Sequence, residues 1–370
     1  MANGWLEGKV TVVTGGGRGI GRGVALLAAQ EGARVIVNDP GVAVDGTGHD
    51  NGPAAEVVEE IKKAGGTAVP NFDSVASVEG GENIIKTALD NYGRIDVLIN
   101  VAGILRDRMI FNMAEEEWDA VIAVHLKGQY CTIKPASILM RQQRWGRIIN
   151  FSSTSGLVGN AGQANYGAAK AGVAGLTRVV ARDLGRYGVT CNGIAPGAAT
   201  RMTQTVSPQA RDLRARAGIA GAAGAAPAGA PGGGAPPAAA GGGGGGQRPQ
   251  GMGGGGGGQR PQGMGGGGGG MGAGQGMPLN APEMVAPMVC FLATDYAWNV
   301  NGQIFGVSGG QVSILNHPLA MRTIYKPGMW SLDELDQMVP RALLQGIPNP
   351  APPAPDLDVP GRPAPAAAQA

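Results

Sequence analysis

Cysteine is scarce in this chain, three in 370 residues, and Cys131, Cys191 and Cys290 stand far apart without a CxxC pair. An odd, scattered set excludes a disulfide framework and offers no zinc spacing, so no metal is expected and a reducing compartment fits. Charge is sparse as well: Asp, Glu, Lys and Arg make up 15% and nearly cancel, to a net +2. With no surplus of Lys and Arg to neutralise phosphates, the chain does not read as a nucleic-acid binder. Long apolar runs are missing too. No window reaches the roughly 18 apolar residues of a membrane span, and the opening MANGWLEGKV lacks the basic start and apolar stretch of a secretory leader. A soluble, cytoplasmic protein with no membrane partner is expected.

Glycine is abundant but clustered, with 30 of the 68 falling between Arg211 and Asn280. Within that stretch GGGGGGQRPQGM at 241–252 recurs unchanged at 253–264. A segment with almost no large apolar residues cannot bury enough surface to offset its chain entropy, so it reads as a disordered insert. The expected organisation is a catalytic and dinucleotide-binding domain over 1–210, the insert over 211–280, completion of that domain over 281–315, and an extension over 316–370 ending Pro- and Ala-rich. A short helix at Leu332–Leu343, capped by Ser331, is expected in the extension.

Outside the insert, short β-branched runs alternate with longer Ala-rich helical stretches, the pattern of a parallel sheet covered by helices on both faces. The runs are Val10–Thr14, Arg34–Asn38, Ala68–Asn71, Asp96–Asn100, Arg147–Phe151, Thr190–Ile194 and Gln303–Val307. They predict an α/β, Rossmann-type, doubly wound sheet of seven parallel strands in a single domain.

The first of these runs leads directly into TGGGRGIG, Thr14–Gly21, which opens an amphipathic helix. Glycines there let the backbone approach a pyrophosphate, and the helix N-terminus supplies unpaired N–H groups and a favourable dipole. About twenty residues on, Asp39 ends the second run, where a carboxylate accepts hydrogen bonds from adenine-ribose hydroxyls and repels a 2′-phosphate. Asp39 favours NAD; Arg18, inside the glycine turn, favours NADP, and the carboxylate is given the greater weight.

Tyr166 and Lys170 are four residues apart in QANYGAAKAG and share one helical face. A phenol with a reference pKa of about 10 is a poor base, but a neighbouring ammonium stabilises the phenolate. Tyr166 can then take a proton from a substrate alcohol. Ser153, at the end of the fifth run, is placed to hold the same oxygen.

TGGGRGIG, Asp73 after the third run, NVAG at 100–103, Ser153, Tyr166-x-x-x-Lys170 and PG at 196–197 together resemble the short-chain dehydrogenase/reductase family, in its order and spacing. The match spans residues 5 to about 205 and 281 to 310. VNDPG (37–41), GILRDR (103–108), VHLKG (124–128), GQANYGAAK (162–170) and TRMTQTV (200–206) are similar, within that family, to the (3R)-hydroxyacyl-CoA dehydrogenase unit of peroxisomal multifunctional enzyme type 2, also called 17β-hydroxysteroid dehydrogenase type 4, and its bacterial single-domain relatives. The resemblance implies Gly15, Arg18, Gly19, Ile20 and Gly21 as the pyrophosphate turn and Asp39 as the ribose contact. It puts Asp73 and Ser74 near the adenine, Asn100, Ala102 and Gly103 along the cofactor floor, and Thr200 and Met202 over the carboxamide. Tyr166 and Lys170 also touch the cofactor, while Ser153, Gln163 and Tyr166 face substrate. His125 departs from the family's usual asparagine, and either a catalytic part or simple helix packing is open to it; for Gln163 a loop-capping role stands beside the substrate contact. The insert falls in the family's substrate lid, and the helices over roughly 115–142 and 165–186 imply a homodimer or homotetramer.

The implied reaction is reversible, NAD-dependent oxidation of a secondary alcohol, a 3-hydroxyacyl-CoA, with a steroid-like acyl group among the candidates. Two alternatives are an NADPH-dependent 3-oxoacyl-carrier-protein reductase and a non-catalytic nucleotide-binding protein that uses the Gly/Arg insert for interactions.

Overall fold

A computed structural model describes residues 4–198, 278, 281–315, 318, 320–347 and 349. Eight strands form one sheet in the order β3-β2-β1-β4-β5-β6-β7-β8. They are β1 (Val10–Thr14), β2 (Arg34–Asn38), β3 (Thr67–Asn71), β4 (Val97–Asn100), β5 (Gly146–Phe151), β6 (Val189–Pro196), β7 (Ile304–Ser308) and β8 (Gln311–Leu315). The first seven match the sequence expectation to within a residue or two and run parallel. The eighth corrects it: β8 returns antiparallel along β7 after a turn at Gly309-Gly310. Two glycines between alternating runs are a hairpin signal, and the strand they start falls within 281–315, the stretch expected to complete the domain.

The central strands are apolar without alternation because both faces are covered. In β1, Val13 packs with Val24 and Ala28 of α1 (Gly19–Gln30), Val57 of α2 (Gly52–Lys63) and Val289 of the helix Ala286–Ala293. Its neighbour Val12 points the other way, toward Ile84 of α3 (Val78–Tyr92) and Met140 of a helix over Gly128–Gln143. Period-two alternation across a two-sided core accounts for the continuous apolar runs. On the second face lie also α4 (Glu115–Ile122), a π-helical turn at Ala123–Lys127 that joins it to α5 (Gly128–Gln143), a single turn α6 (Thr154–Leu157), and the long α7 (Ala164–Leu184). The helix Ala286–Ala293 is α8, and α9 (Leu332–Met338) sits in the extension, continued to Leu343 by a π-helical turn; Ser331 caps it as the sequence predicts, and Glu334 closes the cap reciprocally.

Strand order reverses between β1 and β4, since the chain runs outward through β2 and β3 and then crosses to the far side of β1. Ligands of such sheets bind at the carboxyl ends of the strands at that switch point. Below the switch point, Asn100 Nδ2 donates to Asn150 Oδ1 at 3.0 Å and Asn150 Nδ2 to Thr177 Oγ1 at 3.0 Å, so the buried amides brace β4, β5 and α7.

Candidate active site

A cavity of about 850 Å³ opens over the carboxyl ends of the strands. One end is lined by Gly15, Arg18, Gly19, Ile20, Gly21 and Asp39. Gly15 has φ +65, and a Cβ there would stand 2.8 Å from the Ala102 backbone; at Gly21 a Cβ would stand 2.0 Å from the Gly15 carbonyl oxygen. The turn can therefore close only without side chains at these positions. No side chain caps α1, so its first N–H groups remain for an external acceptor, a donor set that suits a pyrophosphate.

Asp39 is held by two backbone donors: its Oδ2 accepts from Gly17 N at 3.0 Å and its Oδ1 from Gly41 N at 2.8 Å. Arg18, the possible partner for a 2′-phosphate, lies 3.7 Å from Asp50 and is shared with that carboxylate. Ser74, Ala102 and Gly103 line the cavity. Asp73 and Asn100 do not. Asp73 accepts from Asn71 and Asn83, while Asn100 is 3% exposed and bonded to Thr132 and Asn150. Both brace the wall from behind. Thr200 and Met202, expected over the carboxamide, and the Gly-rich insert through 277 lie outside the described residues.

At the centre of the cavity the structure brings Ser153, Tyr166 and Lys170 together. Ser153 caps α6, its Oγ accepting from Ser155 N at 3.2 Å, which leaves the hydroxyl hydrogen to donate elsewhere. Lys170 is 3% exposed; its Nζ donates to the Phe151 carbonyl at 2.5 Å and lies 5.5 Å from the Tyr166 ring centroid. Burial pushes the Lys170 ammonium down from 10.5 to about 7. The backbone beneath is pinned by Ser152 Oγ, which donates to the Lys170 carbonyl at 2.8 Å.

His125 occupies the π-helical turn, a distortion frequent at functional sites. Its ring meets Tyr166 edge to face, centroids 5.0 Å apart and planes at 87°. Nε2 faces the Ile104 backbone, 2.7 Å from its carbonyl oxygen and 3.1 Å from its N–H, and Nδ1 is buried without a hydrogen-bond partner among the described residues. Desolvation first, and the Lys170 charge second, hold this imidazole well below its ordinary pKa, so it is neutral.

Gln163 lines the same cavity, but its amide is occupied by protein: Oε1 accepts from Ser155 Oγ at 2.8 Å and Asn160 Nδ2 at 2.6 Å, while Nε2 donates to Asp107 at 2.7 Å. It ties the start of α7 to two loops and so fixes where Tyr166 begins, in line with the capping role. Asp107 and Asn160 were not visible as site residues in the sequence, because their relevance comes only through this amide.

Comparison with known proteins agrees with the geometry. The family model described as short chain dehydrogenase matches residues 9–211. A putative short-chain type dehydrogenase/reductase (Rv0148) of Mycobacterium tuberculosis is 51% identical over 203 residues, 55% of this chain and 71% of that protein. The peroxisomal multifunctional enzyme type 2 of Mus musculus is 49% identical over 204 residues, 55% of this chain; the match spans 27% of that much longer protein. The hydroxyacyl-CoA dehydrogenase ChsB1 of M. tuberculosis is 37% identical over 343 residues, 89% of this chain and 87% of its own. Among solved structures, a short chain dehydrogenase from Mycobacterium avium aligns with TM-score 0.67 and 38% identity, over 91% of this chain and 95% of that one. Fold, site geometry and sequence converge: the chain belongs to the short-chain dehydrogenase/reductase family, an oxidoreductase family that uses NAD(P), and is similar within it to the dehydrogenase unit of the peroxisomal multifunctional enzymes and to mycobacterial single-domain members.

Proposed function

We infer that this chain interconverts a secondary alcohol and a ketone with NAD, and that its substrate is a 3-hydroxyacyl-CoA, bulky steroid-like acyl groups included. The observation that carries the reading is the buried Lys170 ammonium on the same helical face as Tyr166, in a cavity onto which Ser153 also opens. A nicotinamide bound in this cavity would supply the hydride acceptor. The protein positions the carbinol and moves its proton. Ser153 donates its hydroxyl hydrogen to the substrate oxygen, Tyr166 Oη takes the alcohol proton, and Lys170, anchored on Phe151, keeps positive charge beside the developing phenolate. His125 packs against the phenol and holds the 103–106 segment in place through Ile104.

NAD is favoured because Asp39 is fixed by two N–H groups at the end of β2 and Arg18 is drawn toward Asp50. The acyl-CoA reading leans on ChsB1, named a hydroxyacyl-CoA dehydrogenase, which this chain matches over most of its length. Half-exposed Trp118, Tyr130, Ile138 and Val179 on α4, α5 and α7 support a homodimer or homotetramer through those helices. The 211–280 stretch is proposed as an insert in the substrate lid.

The test is a screen of 3-hydroxyacyl-CoAs, hydroxysteroids and simple alcohols for NADH formation, repeated with NADP. Tyr166→Phe is expected to lower kcat by about 10²–10⁴-fold while NAD affinity, read by fluorescence quenching, stays within a few-fold. Comparable turnover by that variant would remove Tyr166 from the proton's path, and a clear preference for NADP would favour the carrier-protein reductase reading.

A further inference from the structure

The eighth strand is the part of the fold that the family pattern did not lead us to expect, and its register puts it in the site. Residues facing one another across an antiparallel pair share a face of the sheet. Ser308 pairs with Gln311, Gly306 with Ser313 and Ile304 with Leu315, so Gln311, Ser313 and Leu315 point to one side. That side is the cavity: all three line it, together with Gly306 and Ser308. Val312 and Ile314 point to the other side and are 53% and 61% exposed.

The row is continuous with the chemistry. Ala195 of β6 pairs with Gly306 of β7, which pairs with Ser313 of β8, and all three border the same space as Ser153 and Tyr166. The far end is firm, since Leu315 packs on Ala174, Ala195 and Ile304 and the Ser308 hydroxyl donates to the Gly197 carbonyl at 2.9 Å. From the end of β5, where Ser153 sits, to β8 is three strand spacings, roughly 14 Å. A small substrate held at Ser153 and Tyr166 stops short of that wall. A long or bulky acyl group reaches it.

We propose that strand β8 is the specificity wall for the acyl group, with Ser313 and its neighbours Gln311 and Leu315 setting how large a group the cavity accepts. This rests on the alcohol dehydrogenase reading above. Ser313 lies opposite a glycine: a Cβ built at Gly306 would meet Ser313 Cβ at 3.8 Å and the nearer Leu315 methyl carbon at 3.7 Å, ordinary contact distances, so the two β8 side chains lie directly over the glycine. A large side chain at 313 would fill the space that a long acyl chain needs.

The experiment compares kcat/KM for 3-hydroxyhexadecanoyl-CoA with that for 3-hydroxybutyryl-CoA, in the full chain and in Ser313→Trp, Gln311→Trp and Val312→Thr. The long-to-short ratio is expected to fall about tenfold or more in Ser313→Trp, to fall in Gln311→Trp, and to hold in the outward-facing Val312→Thr. A ratio unchanged in Ser313→Trp, whether both substrates weaken together or neither does, overturns the proposal, as does an equal fall in Val312→Thr. If no thioester is oxidised by the unaltered chain, the acyl-CoA reading fails, and the same ratio is read on 2-alkanols of matching length, with the same outcomes for the wall.

Discussion

Replacing Lys170 with methionine separates what the site needs from what the fold tolerates. The ammonium is buried, and a depression from 10.5 to about 7 corresponds to about 5 kcal/mol of cost to the folded state while the group is charged. The sign follows from proton linkage. Below about pH 7 lysine is protonated in both states and the full cost is present. Between pH 7 and 10.5 the folded chain sheds the proton while the unfolded chain keeps it, so stability of the natural protein rises with pH across that window. Methionine fills nearly the same volume without charge but loses the hydrogen bond to Phe151, about 1.5–3 kcal/mol for a charged donor. The net gain is about 2–3 kcal/mol at pH 6 and close to zero at pH 9. Urea unfolding of both proteins at the two pH values, with turnover assayed in parallel, reads the difference. Lys170→Met is expected to be more stable at pH 6, to lose that advantage at pH 9, and to be inactive at both. A variant destabilised at pH 6, or an advantage independent of pH, would refute the claim that a buried ammonium is held here at the expense of stability.

Two further perturbations follow from the geometry. Gly103→Ala places a Cβ 2.3 Å from His125 Cε1; overpacking of about 1–3 kcal/mol is expected as a lower Tm, with a fall in kcat because the displaced ring is the one against Tyr166. A Tm within a degree of the natural protein would show that His125 moves freely. Asp39→Asn removes the charge that repels a 2′-phosphate, an interaction of about 4 kcal/mol at 4 Å in an effective dielectric of 20. The NADP-to-NAD ratio of kcat/KM is expected to rise at least tenfold, and an unchanged ratio would take cofactor choice away from this carboxylate.

Much of the fold was legible because its signals are local. Seven strands announce themselves as β-branched runs between Ala-rich helices, and β-propensity with two-sided burial needs no long-range information to read. The glycine turn is legible for the same reason, since steric exclusion at Gly15 and Gly21 acts between near neighbours and one strand end. Tyr166 and Lys170 are paired by helical geometry alone. Asn100 shows the limit: it sits at the expected strand end, yet its side chain turns into a buried network with Thr132 of α5 and Asn150 of β5, elements distant in sequence, while Asp73 turns to its near neighbours Asn71 and Asn83 instead of the cavity.

Residue identity and spacing therefore determined the sheet, the nucleotide turn and the Ser-Tyr-Lys set by themselves. Only the tertiary structure decided that Lys170 is buried on the Phe151 carbonyl, that His125 is neutral and set against the Ile104 backbone, that the Gln163 amide is spent on Asp107, Ser155 and Asn160, and that β8 turns back to wall the cavity. The division has one physical origin. Backbone sterics and periodicity act over a few residues, whereas desolvation, hydrogen-bond partners and strand register depend on which distant segments the folded core brings into contact.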